Sequence, residues 1–147
     1  MKRVVKLFAT FFYIGYLPLM PGTWASLAVL PLAWFFHDAL IWQILLSSFV
    51  GLAICKPAEQ VFQTKDPGAF VLDEVAGMMV SLVWLPRNWM IFSAAFTLFR
   101  ILDVLKPGPI RNIQNSKAPT SIMWDDLLAG VFVNIFLQII VRVVGFR

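Results

Sequence analysis

The sequence predicts an all-α fold: a polytopic membrane bundle of about four to five apolar helices, with an N-terminal helix lying in the interface. Three observations predict it. The 147-residue chain is 60% hydrophobic, with 14 Phe and 6 Trp, and its mean hydropathy is +0.80; a soluble fold of this size would expose much of that surface. Five apolar segments can be marked, several of which approach membrane-spanning length while several are short. Finally, six of the eight carboxylates fall in three short motifs: Asp66 to Asp73-Glu74, Arg100-Ile-Leu-Asp103-Val-Leu-Lys106-Pro107, and Trp124-Asp125-Asp126. Acids beside apolar surface are costly unless a partner or a cation meets them, so this clustering points to a site.

The elements follow in order. Lys2, Arg3 and Lys6 precede an aromatic-rich stretch to Tyr16 that lacks a small-residue cleavage pattern, so this segment reads as a retained interfacial helix. The first apolar segment runs from about Trp24 to Phe36, interrupted by Pro31, and His37-Asp38 makes the turn. The second covers about Leu40 to Cys55 and the third about Leu72 to Leu85. Pro86-Arg87-Asn88 turns the chain into the fourth, about Trp89 to Leu105. The loop from Lys106 to Met123 carries Pro107, Pro109 and Pro119, and the last segment runs from about Asp125 to Val144. The third is short: at about 1.5 Å per residue it covers roughly 21 Å of a core near 30 Å, so it re-enters, leans on neighbours or extends further. No repeat, low-complexity tract or linker divides residues 1–147, which read as one domain. Cys55 is the single cysteine, so no intrachain disulfide forms.

Positive charge orients the bundle. With Lys2, Arg3 and Lys6 inside, the 56–71 and 106–123 loops also fall inside with Lys56, Lys65, Lys106, Arg111 and Lys117, while Arg87, Arg142 and Arg147 fall outside or near it. All three acidic motifs and the Pro21-Gly22-Thr23 turn then share the cytosolic face. A net charge of +4 suits anionic lipid headgroups; no basic run of a nucleic-acid-binding kind is present.

Each motif has a bland reading and a chemical one. Asp73-Glu74 opens an apolar helix, where one acid suffices as a cap; two adjacent acids with Asp66 nearby suit a hard cation such as Mg2+, which takes oxygen donors. Arg100, Asp103 and Lys106, spaced by threes, share a helix face. They can form an ion network with snorkelling cations, or Asp103 can hold metal while the Arg100 fork and Lys106 neutralise phosphate. Asp125-Asp126 can cap the last helix or join the other acids. Thr23 is a natural cap for the helix after Pro21-Gly22, and free amides at such a start also bind phosphate. With His37 the sole histidine, a two-histidine phosphatase is excluded. Val61 stands six residues after Cys55, which removes the Cys-x5-Arg pattern, and no Walker or dinucleotide glycine pattern occurs. Metal-assisted attack of water on a phosphate ester fits what is left.

These stretches together resemble the phosphatidylglycerophosphatase A family. The resemblance rests on Pro21-Gly22-Thr23 with Ser26-Leu27, Asp73-Glu74 with Gly77, Phe99-Arg100 with Asp103 and Lys106-Pro107, and Asp125-Asp126 with Ala129-Gly130. These four ordered motifs extend from about Gly15 to Gly130. Ala25 stands where the family usually has glycine, and Ala118 to Ser121 replaces a glycine-richer stretch. The resemblance implies a magnesium-dependent phosphatase of the bacterial inner membrane that converts phosphatidylglycerophosphate to phosphatidylglycerol on the cytosolic side. The expected metal ligands and water activators are Asp73, Glu74, Asp103, Asp125 and Asp126. Arg100 and Lys106 are expected to grip phosphate, with Gly22, Thr23 and Ser26 lining the same substrate site. The rival classes are a small ion or proton pathway, which places acids near segment centres, and a non-catalytic lipid-binding subunit.

Overall fold

A computed structural model describes residues 2–115 and 118–145; Lys117 and Arg147, used above for orientation, lie outside the described residues. Among these the chain is all-helical: α1 (Lys2–Ala9), a 3₁₀ turn (Ile14–Tyr16), α2 (Pro21–Phe35), a second 3₁₀ turn (His37–Ala39), α3 (Leu40–Phe62), α4 (Leu72–Leu82), α5 (Trp89–Leu105), α6 (Gly108–Gln114) and α7 (Ser121–Val144).

Two segments, His37–Phe62 and Ser121–Val144, are long and apolar enough to cross a bilayer. The 23 residues of α3 and 24 of α7 rise about 35 Å, whereas the 11 of α4 rise only about 16 Å. Two of the five expected segments therefore reach spanning length. The outward faces of α3 (Trp42, Leu46, Phe49) and α7 (Ile135, Phe136, Ile139) are exposed and apolar, as surfaces turned toward lipid are.

Several boundaries differ from expectation for local reasons. Pro31 does not interrupt α2, and α3 runs through Pro57 to Phe62. The α2 helix begins at Pro21, with Met20 as its cap; proline's fixed φ and missing N–H suit a first helical position, so Thr23 lies in the first turn and caps nothing. The predicted 106–123 loop contains α6, whose Pro109 also occupies a first-turn position and whose Ile110 is fully buried. Most consequential for the site, α7 starts at Ser121. Asp125 and Asp126 stand in its second turn and are not caps.

α4 is the buried centre and packs against α2, α3, α5 and α7. Its crossing with α7 is backbone-close: a Cβ on Gly77 would strike the Asp126 carbonyl, and one on Gly130 would strike the Gly77 carbonyl. Small residues permit that approach. Where α4 ends, its buried carbonyls need donors. Asn134 Nδ2 donates to Ser81 O (3.3 Å) and Val83 O (2.7 Å), and Gln138 Nε2 donates to Asn134 Oδ1 (2.7 Å). His37, given no role by the sequence, places Nε2 2.9 Å from Leu85 O. Trp34 and Trp89 stack at 4.2 Å nearby. These contacts gather the end of α2, the end of α4 and the start of α5. At the opposite end lie the starts of α2, α4 and α7 and the end of α5.

Candidate active site

That opposite end holds the acidic motifs. Asp73 and Glu74 sit in the first turn of α4, and Asp126 reaches them from α7 across the Gly77–Gly130 crossing. Carboxylate oxygens of the three all lie within 4.8 Å of one another. Asp73 and Asp126 are buried and Glu74 is half-buried. Asp73 Oδ1 accepts from Glu74 N at 3.0 Å, as an acid in a helix's first turn does. Glu74 Oε2 is buried with no hydrogen-bond partner.

The other two expected ligands fall outside this 4.8 Å group and are paired with cations, although the Asp103 charge still acts on Glu74 and Asp126. Asp103 Oδ2 lies 2.7 Å from Arg100 Nη1. Lys106, at the C-terminal cap of α5, places Nζ 2.6 Å from Asp125 Oδ2 and 3.7 Å from Asp103 Oδ1. Burial opposes charge on Lys106, but the Asp125 hydrogen bond and the fields of Asp126, Asp125 and Asp103 outweigh it, holding its pKa above that of an ordinary lysine. Asp125 Oδ1 also accepts from Asp126 N at 3.1 Å. Adjacent residues on a helix point about 100° apart, which is why Asp126 joins the triad while Asp125 turns to Lys106. Arg100 is close to Asp103 but off the line of its N–H bonds: Nη1 and Nε are buried without an acceptor, leaving donors to offer.

The α2 start joins this end, though not as the sequence suggested. The space a side chain on Gly22 would fill is occupied by the Glu74 carboxylate, so that face is not open to an anion. Ser26 is fully buried and its hydroxyl donates to Gly22 O at 2.8 Å, which stiffens the α2 turn. Thr23 Oγ1 is buried without a partner. Sequence reasoning missed Glu59 on α3, which has a buried, unpartnered Oε1; an acid four residues after Cys55 in a helical run was the available signal.

Five carboxylates thus face two cations. The cations make their ion pairs with Asp103 and Asp125; among the described residues the triad of Asp73, Glu74 and Asp126 has no ion pair, only the fields of Arg100 on Glu74 and of Lys106 on Asp126. Buried like charges repel unless something neutralises them. Three hard oxygen ligands, one with an orphaned oxygen, fit a divalent cation of the Mg2+ type.

The phosphatidylglycerophosphatase A family pattern matches residues 7–141. The chain belongs to the phosphatidylglycerophosphatase A family. A relative described as phosphatidylglycerophosphatase A, from Escherichia coli K12, is 39% identical over 138 residues, covering 89% of this chain and 80% of that protein. One of the same description from Haemophilus influenzae is 33% identical, covering 87% and 83%. A Bacteroides thetaiotaomicron protein, provisionally described as a phosphatidylinositol-3-phosphatase, is 34% identical and covers 95% and 94%. No solved structure matches the chain. Membership gives the motif glycines a physical meaning here: Gly77 and Gly130 let α7 carry Asp126 to Asp73 and Glu74.

Proposed function

We propose that the protein is a multi-pass enzyme of the bacterial inner membrane that hydrolyses phosphatidylglycerophosphate to phosphatidylglycerol and phosphate, using Mg2+ at a site facing the cytosol. Family membership supports the reaction, and one observation carries the site: Asp73, Glu74 and Asp126, from two helices, meet within 4.8 Å without an ion pair among the described residues. Asp73, Glu74 and Asp126 would hold the metal. A divalent cation there supplies a Lewis acid that draws charge from a phosphate ester and acidifies water. The Arg100 guanidinium offers its unaccepted N–H groups to phosphate oxygens. Lys106 holds Asp125 and Asp103 in place and adds positive charge where the phosphate anion arrives. In the hydrolysis, water oxygen bonds phosphorus, the ester P–O bond breaks, and the lipid glycerol oxygen leaves with a proton. A substrate with a charged head and two acyl chains suits a site at the end of a bundle whose flanks are apolar.

The rival ion or proton pathway is not favoured. The triad and its neighbours occupy helix ends at one end of the bundle, and Asp38 is exposed at the other, so no file of carboxylates joins the two.

The test is phosphate release from phosphatidylglycerophosphate in mixed micelles, with Mg2+ or EDTA, comparing the unmodified protein with Asp73→Asn. Phosphatidylinositol 3-phosphate is assayed in parallel. Release that needs both Mg2+ and Asp73, and that favours phosphatidylglycerophosphate, is the expected result. Release that survives EDTA overturns the metal reading, and preference for the inositol lipid overturns the substrate.

A further inference from the structure

We propose that Gly22 is a positioning residue: the bare face of the first α2 turn is a wall that fixes where the Glu74 carboxylate stands. A Cβ at Gly22 would overlap Glu74 Oε1, and would lie 2.7 Å from its Cδ and 3.1 Å from its Cγ. Backbone freedom does not explain this glycine. Gly22 lies inside α2 and is absent from the residues with positive φ, so any residue could adopt its conformation. What it supplies is room.

The α2 backbone cannot easily move aside. Pro21 fixes the helix start, Thr23 N donates to Met20 O at 3.0 Å, and the buried Ser26 hydroxyl ties down the Gly22 carbonyl at 2.8 Å. Glu74, in contrast, has little else to locate its carboxylate. Oε2 has no hydrogen-bond partner; the carboxylate's side-chain contact is with Asp73, and Arg100 reaches it only through its field. The α2 start also presents the positive end of its helix dipole to this carboxylate. A side chain at residue 22 must therefore displace Glu74 rather than α2. The effect on turnover rests on the proposed role of Glu74 as a metal ligand; the contact itself does not.

The experiment is a double-mutant cycle of Gly22→Ala and Glu74→Asp, in which aspartate withdraws the carboxylate by one methylene. Three readouts are taken on full-length protein in detergent: kcat for phosphate release, binding of Mn2+ alone followed by electron paramagnetic resonance, and melting temperature in EDTA. Gly22→Ala is expected to lower kcat about a hundredfold, the scale on which an ångström of misplacement acts, and to weaken Mn2+ binding about tenfold or more. The double variant is expected to recover about tenfold over Gly22→Ala in both. Losses that simply multiply overturn the proposal. If the unmodified protein binds no Mn2+ or releases no phosphate, the metal or substrate reading fails separately, and melting decides Gly22. Alanine favours a helix more than glycine does, so any melting-temperature loss for Gly22→Ala, small because the Glu74 carboxylate can swing aside, reports the clash. That loss should vanish in the Glu74→Asp background. An equal loss in both backgrounds overturns the wall.

Discussion

The two ends of the bundle treat buried polar atoms in opposite ways. At the end marked by Trp34 and Trp89, the broken α4 helix exposes the carbonyls of Ser81, Val83 and Leu85. Asn134 and His37 meet all three, and Gln138 meets Asn134 in turn. At the other end, Glu74 Oε2, Thr23 Oγ1 and Arg100 Nε are buried with no hydrogen-bond partner, beside three carboxylates drawn together. The same chain thus satisfies its polar groups where it needs a stable helix stop and leaves them unsatisfied at the site proposed to take metal and phosphate. An unpaired buried group costs stability, and binding recovers it.

The largest expected effect breaks that comparison at the triad. Asp126→Asn removes one of the three carboxylates while keeping the shape. Phosphate release should fall about a thousandfold, equivalent to about 4 kcal/mol of barrier. In EDTA, stability to chemical denaturation should hold or rise, because a repulsive group has gone. Turnover that persists would detach Asp126 from the site; a large loss of stability would recast the triad as scaffold.

Next comes Lys106→Met. It leaves Asp125, which is 2% exposed, without its 2.6 Å partner. Breaking a buried pair from one side costs about 3 kcal/mol, so denaturant stability should fall by that order and phosphate release should fall with it. The pair's pH dependence is set by both partners. The Lys106 pKa is raised in the folded protein, so its own contribution is fully present below the ordinary lysine range and is lost as pH climbs through the raised value. The stability gap between unmodified and Lys106→Met protein should therefore narrow in strong alkali, where Lys106 loses its proton, and also in acid, where Asp125 gains one. A gap that closes near neutrality would mean another group supplies the pairing.

How much of this was legible beforehand follows the same division. Helix α5 runs from Trp89 to Leu105 as the spacing predicts, because its start carries a plain signal: Asn88 accepts from Met90 N at 2.8 Å. Helix α6 was hidden, since Pro107, Gly108 and Pro109 look like loop, and only the burial of Ile110 on α7 makes them a helix start. That the acidic motifs and the Pro21 turn share one end was readable from alternating segments. The division of five acids into a triad and two ion-paired members was not. It depends on how closely α4 and α7 approach at Gly77 and Gly130, and sequence spacing carries no distance between helices. Gly22 was read as an anion cradle for the same reason: its neighbour, Glu74, is far away in sequence. Asn134 carries no signal in the sequence and His37 is given no role there, because such a polar residue has meaning only once the carbonyl opposite is known.

The smallest expected effect sharpens the contrast from the satisfied end. Asn134→Leu fits the apolar surroundings of α7 but strips the Ser81 and Val83 carbonyls of their shared donor and leaves Gln138 Nε2 without its acceptor. Unmet buried groups of this kind cost about 2 kcal/mol in all. Melting in detergent should show that loss, while kcat per folded molecule should change little, because the triad is anchored at the other end of α4. The two ends would then be energetically separable: one set of polar groups holds the helix stop, and the other is left open for chemistry. If kcat instead falls with stability, the stop at Val83 is transmitting strain along the 11 residues of α4 to Asp73 and Glu74, and the ends are one cooperative unit.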